Sequence, residues 1–346
     1  MKGNISVTVQ NNRVQFKFTL RRNLTILRGE SATGKTALIE MIAAFEANHE
    51  SGIIVNCDKQ CRVIYGEHWS EQLSVIRDSI VFIDEGNKFV KSKEFAGAIK
   101  DTDNYYVIAT REPLSALPYS VEEVYGIVNK TRCYGRIKRI YSGFKNLYGG
   151  DYNVGCFDTV VVEDSNAGFE FFSSAFDENK YRVVSAKGKS NIANTLLKLD
   201  SDCRVLVIAD GAAFGPEMEP VIKAGMLRNV SLYLPESFEY IILKSGIIEG
   251  ENIKSILDDP SEFIESREYF SWEQFFYYLL SASTRGTYLE YNKKKLNPDY
   301  LQEKEKNILL RCFRLKSDLT CCYFGFSHKK MKFPRRDFHL VCKFYA

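Results

Sequence analysis

Three groups of residues have the types and spacing to do chemistry. The first is Gly29-Glu30-Ser31-Ala32-Thr33-Gly34-Lys35-Thr36. It fits G-x-x-x-x-G-K-[ST], a loop whose backbone N–H groups close around phosphates at the positive end of a helix. In that pattern Lys35 reaches the β- and γ-phosphates and the Thr36 hydroxyl binds Mg²⁺. The second group is Asp84-Glu85, at the end of the apolar run Ser79-Ile80-Val81-Phe82-Ile83. A carboxylate at that place can hold Mg²⁺ through water, a role that falls to Asp84, and Glu85 is placed to orient an attacking water. The alternative is that both acids cap the helix that follows. The third group is Glu163 and Asp210, each closing an apolar run, Thr159 to Val162 and Arg204 to Ala209. Carboxylates at the C-terminal ends of neighbouring parallel strands converge on one sheet edge. With Glu236 or Glu239 they could bind Mg²⁺, a hard cation that prefers oxygen, and activate a phosphodiester or its attacking water. Strand-end capping and solubility are the other reading of these acids.

These residues need elements to hold them. Leu24 to Leu27 reads as a buried strand before the glycine-rich loop, and Ala37 to Phe45 as the helix after it. Ile5 to Val9 and Val14 to Leu20 alternate in polarity around Gln10-Asn11-Asn12 and read as a hairpin. Further strands are expected at Gly52 to Asn56, Cys61 to Tyr65, Ser79 to Ile83 and Tyr105 to Ala109, with a helix from Trp69 to Ile76. Val124 to Val128 looks extended. In the second half, strands at Thr159 to Val162, Tyr181 to Ser185, Arg204 to Ala209 and Val230 to Leu234 alternate with helical patterns. This rhythm predicts an α/β fold, a parallel sheet with helices on both faces followed by a second α/β domain. Gly188-Lys189-Ser190 lacks the leading glycine of a phosphate loop and reads as an ordinary helix start.

The first half resembles P-loop ATPases from about Asn4 to Asn129, on the Gly29–Thr36 loop and on Asp84-Glu85. The resemblance implies ATP and Mg²⁺ as ligands. It also implies a homo-oligomer, since such sites often form between subunits. In these ATPases a polar residue ending the next strand often senses the γ-phosphate. Thr110 is the candidate, and Arg111 could serve in cis or across a subunit interface. Surface residues at a strand end are the alternative for both. No Leu-Ser-Gly-Gly signature precedes Asp84, and Pro113 and Pro118 break the stretch where a long helical lid would lie.

The second half resembles the Toprim domain of the overcoming-lysogenisation-defect (OLD) nucleases and related phage-defence proteins, over roughly Asp158 to Leu243. Glu163, Asp210-Gly211 and Leu234-Pro235-Glu236-Ser237-Phe238-Glu239-Tyr240 carry it. It implies a metal-dependent nuclease acting on DNA or RNA in antiviral defence or a mobile element. The family pattern has Asp-x-Asp, and here the second acid is replaced by Ala212. Two functions follow. In the first, ATP gates action on nucleic acid. In the second, an ATP-controlled sensor or assembly protein uses the Toprim-like domain only to bind a partner protein. Carboxylates clustered with room for a metal favour the first; carboxylates turned apart or paired with lysines favour the second.

The chain has 346 residues, 45% hydrophobic and 26% charged, enough for two domains with real cores. The expected divisions are residues 1–148, 154–305 and a basic tail at 306–346, with the turn-rich break Gly149-Gly150-Asp151-Tyr152-Asn153 between the first two. A net charge of +3 does not by itself indicate nucleic acid. Locally, Arg132, Arg136, Lys138, Arg139 and Lys145 are interleaved with Tyr134, Tyr141 and Phe144. That run suits nucleic-acid contact, or else a solvated strand or docking surface. Met1-Lys2-Gly3-Asn4 carries no apolar signal, and no run approaches the ~20 residues of a membrane span, so a cytoplasmic protein is expected. Its nine cysteines are then reduced thiols. The tail residues Cys312, Cys321, Cys322, His328, His339 and Cys342 fit no standard zinc spacing. Trp272 to Leu280 reads as a core helix and Lys293-Lys294-Lys295 as solvated surface.

Overall fold

Alternating and continuous apolar runs assemble into two separate sheets. The computed structural model describes residues 1–29, 33–134, 137–149, 156–226, 228–250 and 252–312. Glu30, Ser31, Ala32, Arg136, residues 150–153 of the expected boundary, and the tail residues Cys321, Cys322, His328, His339 and Cys342 lie outside them.

The first half runs β1 (Ile5–Gln10), β2 (Val14–Leu20), β3 (Leu24–Leu27), α1 (Lys35–Ala47), β4 (Ile54–Asn56), β5 (Gln60–Val63), α2 (Trp69–Ser74), β6 (Ser79–Ile83), α3 (Lys93–Lys100), β7 (Tyr105–Ala109), β8 (Val124–Tyr134) and β9 (Ile137–Asn146). These strands form one nine-stranded sheet in the order β4-β1-β2-β9-β8-β3-β7-β6-β5. The sheet is mixed, not parallel throughout as the sequence rhythm suggested. β1–β2, β1–β4 and β8–β9 are antiparallel, whereas β3, β5, β6, β7 and the start of β8 run parallel. The reason is local. β1 and β2 are three residues apart in sequence and β8 and β9 two, and so short a connection can join only antiparallel neighbours. In the first connection, Asn11 Oδ1 accepts the N–H groups of Arg13 and Val14, each at 2.9 Å.

The edge strands β4 and β5 are joined by only Cys57, Asp58 and Lys59. Three residues span at most ~15 Å, whereas nine strands laid flat would separate their edges by roughly 38 Å. The sheet therefore curls back on itself. What it curls around is α1, which contacts β1, β4 and β5 and buries Leu38, Ile39, Met41 and Ile42.

The second half runs β10 (Thr159–Val162), α4 (Ala167–Ala175), β11 (Arg182–Ser185), α5 (Ile192–Lys198), β12 (Arg204–Ile208), α6 (Met218–Gly225), β13 (Asn229–Tyr233), α7 (Phe238–Lys244), α8 (Ile253–Asp258), α9 (Trp272–Thr284) and α10 (Glu303–Cys312). Its four strands are all parallel, in the order β11-β10-β12-β13. Each of its four strands follows the expected apolar run. α4, α7 and α9 share one core cluster with Val160 and Leu206, and α5 and α6 share another with Val161 and Val207. Helix α10 runs through the expected 305/306 division, and its Leu309 is fully buried in the first of those clusters. No helix among the described residues is long and apolar enough to cross a membrane.

The segment after β7 joins the two sheets. Tyr119 packs in the first half and Val121 in the second. The Gly215 N–H donates to Tyr119 O at 2.9 Å, and a side chain at Gly215 would collide with the Tyr119 ring. Arg22 completes the joint. It is buried, bonds Glu236 through two nitrogens at 2.6 and 2.9 Å, lies 3.2 Å from Glu122 and 3.6 Å from Glu123, and stacks 3.6 Å over the Trp272 ring.

Removing one partner from a buried ion pair leaves the other uncompensated. Arg22→Met should therefore cost about 3–5 kcal/mol of stability, read as the shift in urea midpoint. A second test uses pH. Burial pushes the Glu123 carboxyl up to about 7, against the pull of Arg22 and of the Thr25 hydroxyl. Glu122 adds to the rise and Arg21 opposes it. The native state thus keeps a proton that the unfolded chain, titrating near 4.5, gives up. Stability from this group is full below the unfolded value and falls as pH rises through 7. The drop in urea midpoint between pH 5 and 7.5 should be smaller in Glu123→Gln than in the wild type.

Candidate functional site

The glycine-rich loop, Asp84-Glu85 and Thr110-Arg111 meet at one end of the first sheet. β7 lies between β3 and β6 in parallel register, with Leu27 opposite Ala109 and Ile83 opposite Ile108. All three strands therefore end at one level. Gly34 begins α1 with φ +105°, a left-handed conformation that favours glycine. Lys35 is buried, and its Nζ donates to Gly29 O at 2.6 Å and to Thr33 Oγ1 at 3.3 Å. It also lies 3.7 Å from Glu85 Oε2. Burial lowers the Lys35 ammonium from its usual range; Glu85 opposes the shift and Arg111 adds to it. The Thr36 hydroxyl donates to Asp84 Oδ1 at 3.4 Å. These are the two side chains expected to share a cation.

Neither acid caps the next helical turn. That turn begins at Asn87, whose side chain donates to Asp84 O at 2.9 Å, and α3 is capped by Ser92 Oγ. Glu85 instead bridges two cations: Arg111 at 2.5 Å on one oxygen and Lys35 on the other. Thr110 follows β7 and is buried. Its hydroxyl bonds the backbone of Glu112 in both directions, at 3.0 and 3.1 Å, so it is held within its own turn. The basic run lies on β8 and β9. Arg132 stands opposite Arg139, and both guanidinium groups lie 5.5 Å from the Tyr141 ring.

The third group also converges. β10 and β12 are adjacent, with Val162 opposite Ile208, so Glu163 and Asp210 leave the sheet at the same edge. They line a cavity of about 130 Å³ together with Asp164, Glu239, Glu273 and Lys293. Its carboxylates already have donors. Glu163 Oε2 accepts the Asp210 N–H at 2.9 Å, and Asp210 Oδ1 accepts the Phe238 N–H at 3.1 Å. Asp164 receives the Gly168 and Phe169 N–H groups at 3.2 and 2.8 Å and so caps α4. Glu239 accepts from the Tyr291 hydroxyl at 2.9 Å, and Glu273 from Lys293 Nζ at 2.7 Å. Burial pushes Glu163 up to about 7, with the Asp210 N–H pulling it back. Asp210 is raised well above its ordinary range by burial, then by Glu273, Glu163 and Glu239.

Glu236 is drawn away to Arg22, whereas Glu239 enters the cavity. Ala212 is buried, with its N–H donated to Glu236 O at 3.1 Å. Among the described residues, no three His, Cys, Asp or Glu side chains are arranged to hold a metal ion. The residue that sequence reading missed is Lys293. It reads as one of three solvated lysines, and nothing local separates it from Lys294 and Lys295, which are exposed. No protein-family model matches this chain, and no curated protein matches it, so its chemistry is read from its own residues.

Proposed function

We propose that the first half binds ATP with Mg²⁺ and hydrolyses it, and that the nucleotide state governs the second half. The observation that carries this reading is the convergence of Lys35, Thr36, Asp84 and Glu85 at one end of parallel strands. The N–H groups at the start of α1 would receive the phosphates. Lys35 would exchange the Gly29 carbonyl for a phosphate oxygen, a stronger charge-assisted bond. Thr36 and Asp84 would hold Mg²⁺, which when bound neutralises charge developing on the transferred phosphoryl group. Glu85 is held by Lys35 and Arg111, the two cations that a triphosphate would attract. Their departure would free the carboxylate to orient the attacking water.

For the second half, the proposal keeps two outputs, both resting on its likeness to the Toprim domains of phage-defence nucleases. Glu163 and Asp210 sharing one cavity supports action on nucleic acid. The lysine inside the same cavity supports the other output, an ATP-controlled module that binds a partner protein, and we favour this second output. A homo-oligomer, the arrangement in which such nucleotide sites often form between subunits, belongs to either version.

Lys35→Ala should lose ATP affinity by tenfold or more in a titration with a fluorescent ATP analogue. Unchanged affinity in the folded variant would end the nucleotide reading. Glu85→Gln should keep ATP bound and slow phosphate release by ~10²-fold, the scale of a lost general base. Turnover at the wild-type rate would return Glu85 to a purely structural ion pair. A cleavage assay on DNA and RNA, with Mg²⁺ or Mn²⁺ in each nucleotide state, separates the two outputs. The favoured one predicts intact substrates throughout.

A further inference from the structure

We propose that Lys293 is the resident cation of the carboxylate cavity and takes the place of a divalent metal there. The inference is independent of the nucleotide reading, because it concerns only the second sheet.

Lys293 is held by the segment around it. Its backbone is fixed at the start of α4, where the Ala167 N–H donates to Lys293 O at 3.2 Å. Three residues on, the Leu296 N–H donates to Glu170 Oε2 at 2.9 Å, which ties the same segment to the same helix. Lys293 alone of its three-lysine run is thereby turned inward. Its ammonium lies 2.7 Å from Glu273 and 3.9 Å from Glu239, and 5.8 Å from the face of Tyr277. Glu239 is buried and sits on α7, and Glu273 sits on α9. One ammonium thus joins two helices that would otherwise present like charges to each other.

A divalent ion needs several oxygen ligands turned towards one point. Here Asp164 is committed to capping α4 and Asp210 to the start of α7. Glu163 accepts a backbone N–H on one oxygen and Glu273 bonds Lys293, while Glu239 meets Tyr291 and Lys293 through Oε1 and keeps its buried Oε2 unbonded. The ligand that the Asp-x-Asp pattern would add is Ala212. Metal entry would require displacing a half-buried ammonium from the Glu273 carboxylate it bonds and from Glu239 beside it. The ammonium and a divalent ion would compete for the same Glu239 and Glu273 oxygens, so each occupant weakens the other.

The test counts bound Mn²⁺ by electron paramagnetic resonance on the full chain without nucleotide. Every sample carries Asp84→Asn, so that the nucleotide end contributes no metal. With Lys293 in place, no Mn²⁺ should bind in the micromolar range. Lys293→Met, which keeps the stem and removes the charge, should gain one Mn²⁺ with at least tenfold higher affinity. Adding Asp210→Asn should remove that gain. Tight Mn²⁺ binding with Lys293 present, lost on Asp210→Asn, would overturn the proposal, as would a folded Lys293→Met that gains nothing. Should Lys293→Met fail to fold, the lysine-containing sample and its Asp210→Asn counterpart decide the matter alone. Because metal counting needs no ATP turnover, a failed nucleotide reading would leave this result intact.

Discussion

The buried guanidinium of Arg22 is the interaction on which the arrangement of the two halves depends. It leaves the turn between β2 and β3, yet its strongest bonds are to Glu236 of the second half. Trp272 covers it and Glu122 and Glu123 surround it. A charge so placed is tolerable only if every partner stays in position, because the cost of desolvating it is recovered only by good geometry. The sheets are therefore held in one relative setting by a group that neither could bury alone. The loop carrying Asp210 lies beside this joint. Ser120 Oγ donates to Gly211 O at 3.2 Å, one residue beyond that acid.

At the other end of the first sheet, curvature does the positioning. A flat sheet could not be joined edge to edge by three residues. Wrapping around α1 brings the start of that helix, with Gly34, Lys35 and Thr36, against the ends of β6 and β7. The same wrapping buries Lys35 while leaving Glu85 and Arg111 partly open. The lysine is held by its own loop carbonyl and by Glu85. Charge that is balanced within the loop, rather than left exposed, lets a buried cation persist there.

The carboxylate cavity follows the same electrostatic rule with a different result. Parallel strands force Glu163 and Asp210 to one edge, and burial makes their charges costly. The cavity answers with backbone donors, a tyrosine hydroxyl and one lysine. These bonds tie the acids to α7, α9 and the sheet, and leave the buried Glu239 Oε2 without a donor.

Much of this was legible in the chain itself. The motif Gly29 to Thr36, the apolar runs ending in Asp84, Glu163 and Asp210, and the four strands of the second sheet follow from residue type and spacing. These are local properties, since a motif and an apolar run are each read from consecutive residues. What tertiary structure decided is which charges meet. Lys293 looks like its two neighbours until Ala167 and Glu170, 126 residues away in sequence from the positions they bond, fix its segment. Glu236 and Glu239 are three residues apart, yet one pairs with Arg22 across the joint and the other enters the cavity. Antiparallel pairing of β8 with β9 was likewise hidden, because an extended run does not record the direction of its neighbour. Ion pairs and strand partners are long-range contacts, fixed only once the chain has brought distant segments together.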